Sequence, residues 1–412
     1  CPGLFEALLK DEALLQPLVE FARDAACLHG VLMRPPPTMK PAHVTLMPFT
    51  LLPIPMPRAL YFQAVEVQTL FNTLVDRVSQ DEAFLEQALS STIEVDDFTA
   101  RLFHIYKQIQ REGRTPSIVL GLNRCDYMLD QGSSLKQVEI NTFAVGMGGL
   151  SARLVEVHRD VLRYAGRPEE SEQLQQKFPS TLHASAVAKA WELYGSHRYQ
   201  GSEVREGSER GCSYLNNFLE HYFVLLLEKY YSEVVLLLLE IIFFFLMSPQ
   251  IWDLRLLLER SRAVKVPDIA THLAGTKKVQ QVLSEPGVLE RFFPERPHVV
   301  EQIRATFTGL YSLDLGPEGD RAVDMALAAP ERFVLKPQRE GGGEELRSHT
   351  QIRTGSCVNE AKKCPSPRGI LVMFHYVLTN EVVGVLLRSK MAEYAEGGIT
   401  IGRGAISTPF LV

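Results

Sequence analysis

A lysine, a glutamate and a run of glycines follow one another between residues 336 and 343 and could bind the phosphates of a nucleotide. Lys336 ends an apolar stretch that predicts a buried strand, so its charge would extend beyond the strand end. Glu340 could bind a divalent cation, and the backbone N–H groups of glycines 341–343 could close on phosphate oxygens. A charged hairpin with a flexible tip is the alternative that these residues leave open.

A second pair of polar residues, Glu139 and Asn141, lies within a segment of strand-like character at 137–141. Residues two apart on a strand project to the same face, so these two side chains would lie together. A carboxylate beside an amide oxygen suits Mg²⁺, which prefers hard oxygen ligands. The alternative is a solvent-facing polar stripe on an edge strand.

Three further groups of cations complete the candidate chemistry. Arg124 comes just after a predicted strand and could bind a carboxylate through two parallel hydrogen bonds, although a surface pair with Asp126 is the alternative. Arg388 and Lys390 close another apolar stretch, before a glycine turn at 397–398. Lys277 begins a predicted helix. Their alternatives are a basic strand end beside a hairpin and a solvated helix terminus.

Together these groups fit phosphoryl transfer to a carboxylate better than hydrolysis, because they combine several cations, an acidic site for Mg²⁺ and glycine loops. The sequence has no Gly-x-Ser-x-Gly, His-Glu-x-x-His or Walker motif. A net charge of −6 with 22% charged residues argues against a nucleic-acid partner. The six cysteines form no Cys-x-x-Cys pair, which argues against a disulfide framework and fits a reducing cytosol.

The elements that must position these residues follow from apolar periodicity and capping signals. Asp96 is expected to cap a helix that begins at Phe98. Helices are predicted over 4–30, 59–112 and 151–164, and strands over 118–122, 137–141, 333–336 and 371–412.

An apolar run at 223–247 is the one segment with a membrane-like composition. Charged residues interrupt every window of about 20 residues, the length a membrane span needs. A buried helix or a pair of core strands is therefore predicted, and a membrane-anchored variant is the minority alternative.

The sequence resembles the eukaryotic glutathione synthetases. The segments that carry this resemblance are Asp96-Asp-Phe-Thr-Ala-Arg-Leu-Phe, Leu120-Gly-Leu-Asn-Arg, Glu139-Ile-Asn-Thr, Ala190-Trp-Glu-Leu-Tyr-Gly, Arg255-Leu-Leu-Leu-Glu-Arg-Ser, Pro267-Asp-Ile-Ala, Leu273-Ala-Gly-Thr-Lys-Lys-Val-Gln-Gln and Lys336-Pro-Gln-Arg-Glu-Gly-Gly-Gly. They occur in the family's order and fall within residues 1–196, 251–343 and 371–412.

The resemblance implies an α/β protein with an ATP-grasp core, a helical N-terminal region and an inserted substrate-binding domain that is disrupted here. The expected divisions are 1–196 for the helical region and part of the core, 197–276 for the substrate-binding domain, and 277–412 for the core and glycine-rich lid. A cytoplasmic homodimer without a nucleic-acid partner is also implied.

The implied reaction is the ATP-dependent ligation of γ-glutamylcysteine and glycine through an acyl phosphate, with one or two Mg²⁺ ions. The residues implied to bind ATP are Glu139, Lys277, Lys336, Gly341, Gly342, Gly343, Lys390 and Glu396. Those implied to bind the substrate are Arg124, Phe143, Ala144, Val145, Gly146, Arg388, Ile399 and Thr400. Those implied to bind the metal are Glu139, Asn141 and Glu340.

The chain departs from the family pattern in three places. Ala144 and Gly146 stand where the family has serines. Residues 197–250 replace a longer polar segment of the substrate domain. Residues 344–370 replace part of the glycine lid and the strand that cradles adenine. We therefore expect little or no ligase activity, and the alternative function is an inactive relative that retains only the dimer scaffold.

Overall fold

The computed structural model describes residues 5–33, 45–113, 118–130, 134–143, 147–174, 189–190, 193, 236–238, 249–261, 264–336, 338, 344–345, 357–360, 370–376, 380–390 and 404–412. The helices in these ranges are α1 (Glu6–Lys10), α2 (Glu12–Leu28), α3 (Arg58–Gln80), α4 (Glu82–Leu89), α5 (Thr92–Val95), α6 (Asp97–Glu112), α7 (Gly148–Tyr164), α8 (Pro168–Gln173), α9 (Pro249–Arg260), α10 (Ile269–Ala274), α11 (Lys277–Leu283), α12 (Val288–Phe292), α13 (Pro297–Thr306) and α14 (Pro317–Ala328). The strands are β1 (Leu32–Met33), β2 (Thr45–Leu46), β3 (Ile54–Met56), β4 (Leu122–Asp130), β5 (Ser134–Asn141), β6 (Leu236–Leu238), β7 (Val264–Val266), β8 (Leu310–Ser312), β9 (Phe333–Lys336), β10 (Glu344–Glu345), β11 (Cys357–Glu360), β12 (Ile370–Tyr376), β13 (Glu381–Lys390), β14 (Gly404–Ser407) and β15 (Pro409–Leu411).

The N-terminal half is helical where apolar periodicity predicts it. Helices α1 and α2 occupy the first predicted segment, and α3 to α6 occupy the second. The Asp96 carboxylate accepts a hydrogen bond of 2.7 Å from the backbone N–H of Thr99, so the predicted cap is confirmed. Helix α6 begins at Asp97, one residue before the predicted start.

A five-stranded sheet with the order β14-β13-β12-β4-β5 forms the centre of the chain, and all neighbouring strands in it are antiparallel. Its strand β4 begins at Leu122, whereas residues 118–121 contribute only one isolated bridge, from Val119. The predicted strand at 118–122 is therefore wrong in extent. The sequence predicted that Arg124 comes just after a strand, but Arg124 lies inside β4.

Helices cover both faces of this sheet. Strand β13 shows the division, because Val385 and Leu387 join one apolar cluster while the intervening Leu386 joins the other. The first cluster includes residues of α3, α4 and α6, and the second includes residues of α2 and α7. The face that α2 and α7 cover also carries Arg124 and Asp126, which alternate with Cys125 and Tyr127 of the first cluster.

A second, four-stranded sheet has the order β10-β9-β11-β8, and α14 packs on it around Phe333 and Leu335. Strand β9 has the bounds that the sequence predicts. Strand β11 pairs with β9 so that Cys357 lies opposite Lys336. Strands β10 and β11 both lie within 344–370, the segment that departs from the family pattern.

Helix α11 lies between the two sheets, in contact with β5 of the first and with β8 and β11 of the second. It thus joins the two sheets, together with the ion pair between Lys336 of β9 and Glu139 of β5. Elsewhere, β6 lies within the apolar run at 223–247 and pairs with β7, so the predicted strand conformation is confirmed at these three residues. Among the helices that the structure describes, none combines the length and apolar character needed to span a bilayer.

Candidate active site

A buried carboxylate, Glu139, is the centre of the site. Its Oε2 lies 3.1 Å from Nζ of Lys336 and 3.2 Å from Nζ of Lys277. Its Oε1 lies 3.7 Å from the guanidinium of Arg124 and accepts a hydrogen bond of 3.1 Å from Nδ2 of Asn141. The sequence prediction that Glu139 and Asn141 share a face of the strand is therefore confirmed.

The surrounding cations determine the charge state of this carboxylate. Burial alone would raise the pKa of Glu139, since a charged group is costly in a low-dielectric interior. The two lysines, Arg124 and the Asn141 amide act in the opposite direction and hold the pKa well below its usual value of 4.5. The group is consequently ionised at neutral pH, which a metal ligand requires.

Two different elements deliver the lysines. Lys277 is the first residue of α11, as the sequence predicts, and Lys336 is the last residue of β9. Gln338 connects these elements, because its Oε1 accepts a hydrogen bond of 3.3 Å from the backbone N–H of Lys278. Both lysine side chains are at least nine-tenths buried, so their ammonium groups depend on the site's anions for neutralisation.

A second carboxylate, that of Asp126, lies beside Glu139 and binds both Arg124 and Arg388. Arg124 donates hydrogen bonds of 2.9 and 3.4 Å to the two oxygens of Asp126, and Arg388 donates to the same carboxylate. Asp126 is only 2% exposed, so the alternative of a surface Arg–Asp pair is wrong. Within the described part of the chain, Nε of Arg388 has no hydrogen-bond partner, which leaves a donor for a ligand.

The sheet register explains why these side chains meet. Arg124 lies opposite Asn141, and Asp126 lies opposite Glu139. A bulge after Asp126 then moves Tyr127 opposite Gln137, so that the next pair faces the apolar cluster on the other side of the sheet. Without this bulge, strict alternation would place Gln137 on the same face as Glu139 and Asn141, and the row of polar side chains would be longer.

The described members of the site comprise four cations and two carboxylates, and so carry two positive charges in excess. Such an excess favours anionic ligands, and the low dielectric of a buried cluster strengthens that preference. Phosphate and carboxylate groups are the anions that arginine and lysine recognise best.

Of the predicted residues, the structure brings together Glu139, Asn141, Lys277, Lys336, Arg124 and Arg388. The ring of Phe143 is 2% exposed and stacks on His272 at 4.3 Å between centroids, so this side chain packs in the core. Its predicted contact with a substrate stays a prediction. The predicted residues that lie outside the described ranges are Ala144, Val145, Gly146, Glu340, Gly341, Gly342, Gly343, Glu396, Ile399 and Thr400, while Lys390 is described only as the end of β13.

Two residues of this region escaped prediction from the sequence. The sequence offers Asp126 only as a surface partner of Arg124, because nothing local indicates that its neighbours on β12 and β13 would bury it. Gln280 lies in one of the segments that resemble the family, three residues after the predicted helix start at Lys277, but nothing local indicates its role. It binds the backbone of β5, a long-range contact that periodicity cannot show.

The donors around Glu139 fit a hard divalent cation. A carboxylate held in its ionised form and an amide oxygen on the same face are oxygen ligands of the type Mg²⁺ takes. Within the described ranges no group of three or more histidine, cysteine, aspartate or glutamate residues could bind a metal ion. The third expected ligand, Glu340, lies outside those ranges.

Comparison with known proteins places the chain in a family. The family model described as "Eukaryotic glutathione synthase, ATP binding domain" matches residues 12–363. Glutathione synthetases of Bos taurus and Homo sapiens are 41% and 40% identical to the chain, each over 98% of the chain and 99% of the relative. A chloroplastic glutathione synthetase of Arabidopsis thaliana is 32% identical over 99% of the chain and 88% of the relative. The chain belongs to the eukaryotic glutathione synthetase family.

Structural comparison gives the same fold. A glutathione synthetase like-effector from Globodera pallida, in its apo form, superposes with a TM-score of 0.65 over 98% of both chains, at 22% identity. The alignment with the bovine relative spans 468 positions, more than the 412 residues of the chain, so the relative has residues without a counterpart here. This agrees with the expectation that the chain lacks part of a longer family segment.

Proposed function

We propose that this chain catalyses the glutathione synthetase reaction, in which ATP drives the joining of γ-glutamylcysteine to glycine. Membership of the family supports the reaction, and the buried Glu139 cluster supports its location. The cluster joins two cationic pairs, the lysines on one side and the arginines on the other. A reaction between two anions, ATP and a peptide carboxylate, needs both to be neutralised in one place.

In this proposal the two lysines bind ATP phosphates, and Glu139 holds their ammonium groups in place. A carboxylate at 3.1 and 3.2 Å fixes two long side chains that would otherwise lose conformational freedom on binding the nucleotide. Phosphate oxygens would then meet donors that are already positioned, as transition-state stabilisation requires. Lys390, Glu396 and the glycines 341–343 are proposed to complete the nucleotide site.

Arg124 and Arg388 are proposed to bind carboxylate groups of the peptide substrate. Both guanidiniums contact Asp126, so one buried anion sets the distance between the two substrate-binding cations. Arginine is suited to this role, because its planar fork can bind a carboxylate through two parallel hydrogen bonds. Ile399 and Thr400 are proposed to contribute from the following loop.

Mg²⁺ is proposed to be held by Glu139, Asn141 and Glu340. When bound, the ion would neutralise phosphate charge and polarise the transferred phosphoryl group. The chain's own contribution is to keep Glu139 ionised and to keep Asn141 beside it. We also propose that the protein works in the cytoplasm. We propose in addition that it is a homodimer, which sedimentation of the purified chain would test.

The lysine assignment is tested by two neighbouring variants, Lys277→Met and Lys278→Met. Both lysines are buried and both lie in the first turn of α11, but Lys278 binds Asp314 and Ser312 instead of Glu139. Losing one charge-assisted bond costs about 1.5–3 kcal/mol, so Lys277→Met should weaken MgATP binding by roughly ten- to a hundredfold. Titration calorimetry measures this directly.

In the control, Lys278→Met should lower the melting temperature while MgATP affinity stays close to that of the unmodified chain. Equal affinity losses in both variants would contradict the assignment of Lys277. An unmodified chain that binds no MgATP would favour the alternative function, an inactive relative that retains only the dimer scaffold.

A further inference from the structure

We infer that Gln280 is a positioning residue for the nucleotide site, because its side-chain amide joins the helix that carries Lys277 to the strand that carries Glu139. The Gln280 Oε1 accepts a hydrogen bond of 2.9 Å from the backbone N–H of Ile140. Its Nε2 donates to the carbonyl oxygens of Ile140, at 3.0 Å, and Gly275, at 2.8 Å. The amide thus uses both its donor hydrogens and its acceptor in fixed directions.

The location of Ile140 gives these bonds their effect. Strand β5 is at the end of the five-stranded sheet, so one side of its backbone has no neighbour among the strands that the structure describes. Gln280 binds the N–H and C=O of Ile140 on that side, as a neighbouring strand would do. Ile140 stands between Glu139 and Asn141, so fixing its backbone fixes the direction in which both side chains leave the strand.

A second contact involves the turn between α10 and α11, which contains Gly275. Gly275 approaches Thr142 so closely that a Cβ at position 275 would lie 2.1 Å from the Thr142 hydroxyl oxygen. That hydroxyl donates a hydrogen bond of 2.9 Å to the backbone carbonyl of Thr271. This turn is therefore attached to Ile140 of β5 and to Thr142, the residue just after β5, on both sides of Asn141.

The consequence is a fixed distance between two groups of the site. Lys277 is three residues before Gln280 on a single short helix, so displacement of that helix would change the 3.2 Å separation of its Nζ from Glu139. Residues that do not touch a ligand but orient the groups that bind it typically contribute a factor of about 10–100 to affinity or activity, as measured at metal sites. The inference rests on the proposed function only for the identity of the ligand, MgATP.

The test compares Gln280→Met with Gln281→Met by calorimetric titration with MgATP. Methionine has nearly the length of glutamine but makes none of the three hydrogen bonds. Gln281 is also buried on α11, yet the hydrogen bonds that the structure describes for its amide go to Lys278 and Glu285. We expect both variants to melt at lower temperature, and only Gln280→Met to lose MgATP affinity, by about 10–100-fold.

A second variant, Gln280→Asn, covers the case in which Gln280→Met does not fold. Its amide is one methylene shorter and cannot reach Ile140, but it leaves no large apolar group beside the backbone. The inference is overturned if a folded Gln280 variant binds MgATP as the unmodified chain does, or if Gln281→Met loses as much affinity. An unmodified chain that binds MgATP without forming glutathione would count against the proposed function alone. One that binds no MgATP would overturn both.

Discussion

Replacing Glu139 by glutamine changes the charge of the cluster without changing its shape. The variant leaves Lys277, Lys336 and Arg124 beside a neutral amide, whose nitrogen would lie close to at least one of these cations. Both lysine side chains are less than a tenth exposed, so solvent can compensate little of the lost neutralisation. Removing one partner of a buried pair costs about 3–5 kcal/mol. We expect the free energy of unfolding at pH 7 to fall by this amount.

The pH dependence of that difference provides a stricter check. The folded-state pKa of Glu139 is held well below 4.5, chiefly by the two lysines acting against the effect of burial. A depressed pKa stabilises the fold above the unfolded-state value, and this contribution is lost as the pH falls through the folded-state value. The difference between the unmodified chain and Glu139→Gln should therefore be full at neutral pH and shrink below about 4.5.

Urea unfolding at a series of pH values measures both quantities, since the extrapolated free energy is obtained at each pH. Two outcomes would refute the reasoning. Equal stability at pH 7 would show that the lysines do not depend on Glu139, and a difference that grows in acid would show that the carboxyl is not ionised in the fold.

Two further changes test other parts of the site and of the core. Arg388→Lys keeps the charge near Asp126 but loses the planar fork. KM for the peptide substrate should therefore rise by roughly tenfold, and at least as strongly as kcat falls. Unchanged kinetics would show that Arg388 does not bind the substrate. Burial lowers the pKa of His158 to about 4 although its ring binds the Thr50 carbonyl. Because the unfolded state binds the proton first, stability should fall by about 3 kcal/mol between pH 6.5 and 4, and His158→Gln should remove this slope in urea unfolding.

Local features of the fold could be predicted because their causes lie within a few residues. The Asp96 cap, the start of α11 at Lys277 and the whole of β9 each depend on a side chain or an apolar run next to the element itself. The same holds for Glu139 and Asn141, whose common face follows from strand geometry alone.

Features that depend on strand order could not be predicted in this way. Asp126 is buried because β12 and β13 bring Arg388 to it from more than 250 residues away in the chain. The start of β4 at Leu122 depends on its pairing with Tyr376 of β12, whereas local apolar character placed the strand earlier. Strand β11 lies in a segment of polar composition, and it is held by backbone pairing with β8 on one side and β9 on the other.

The most direct test of the account is glutathione formation by the purified chain and by Glu139→Gln, from γ-glutamylcysteine, glycine and MgATP. The account predicts product that requires all three substrates and disappears in the variant. Since Ala144 and Gly146 replace hydroxyl groups, it also predicts a rate more than about tenfold below that of the bovine relative. Product formation that survives in Glu139→Gln, or no ATP-dependent product from the unmodified chain, would contradict the central claim.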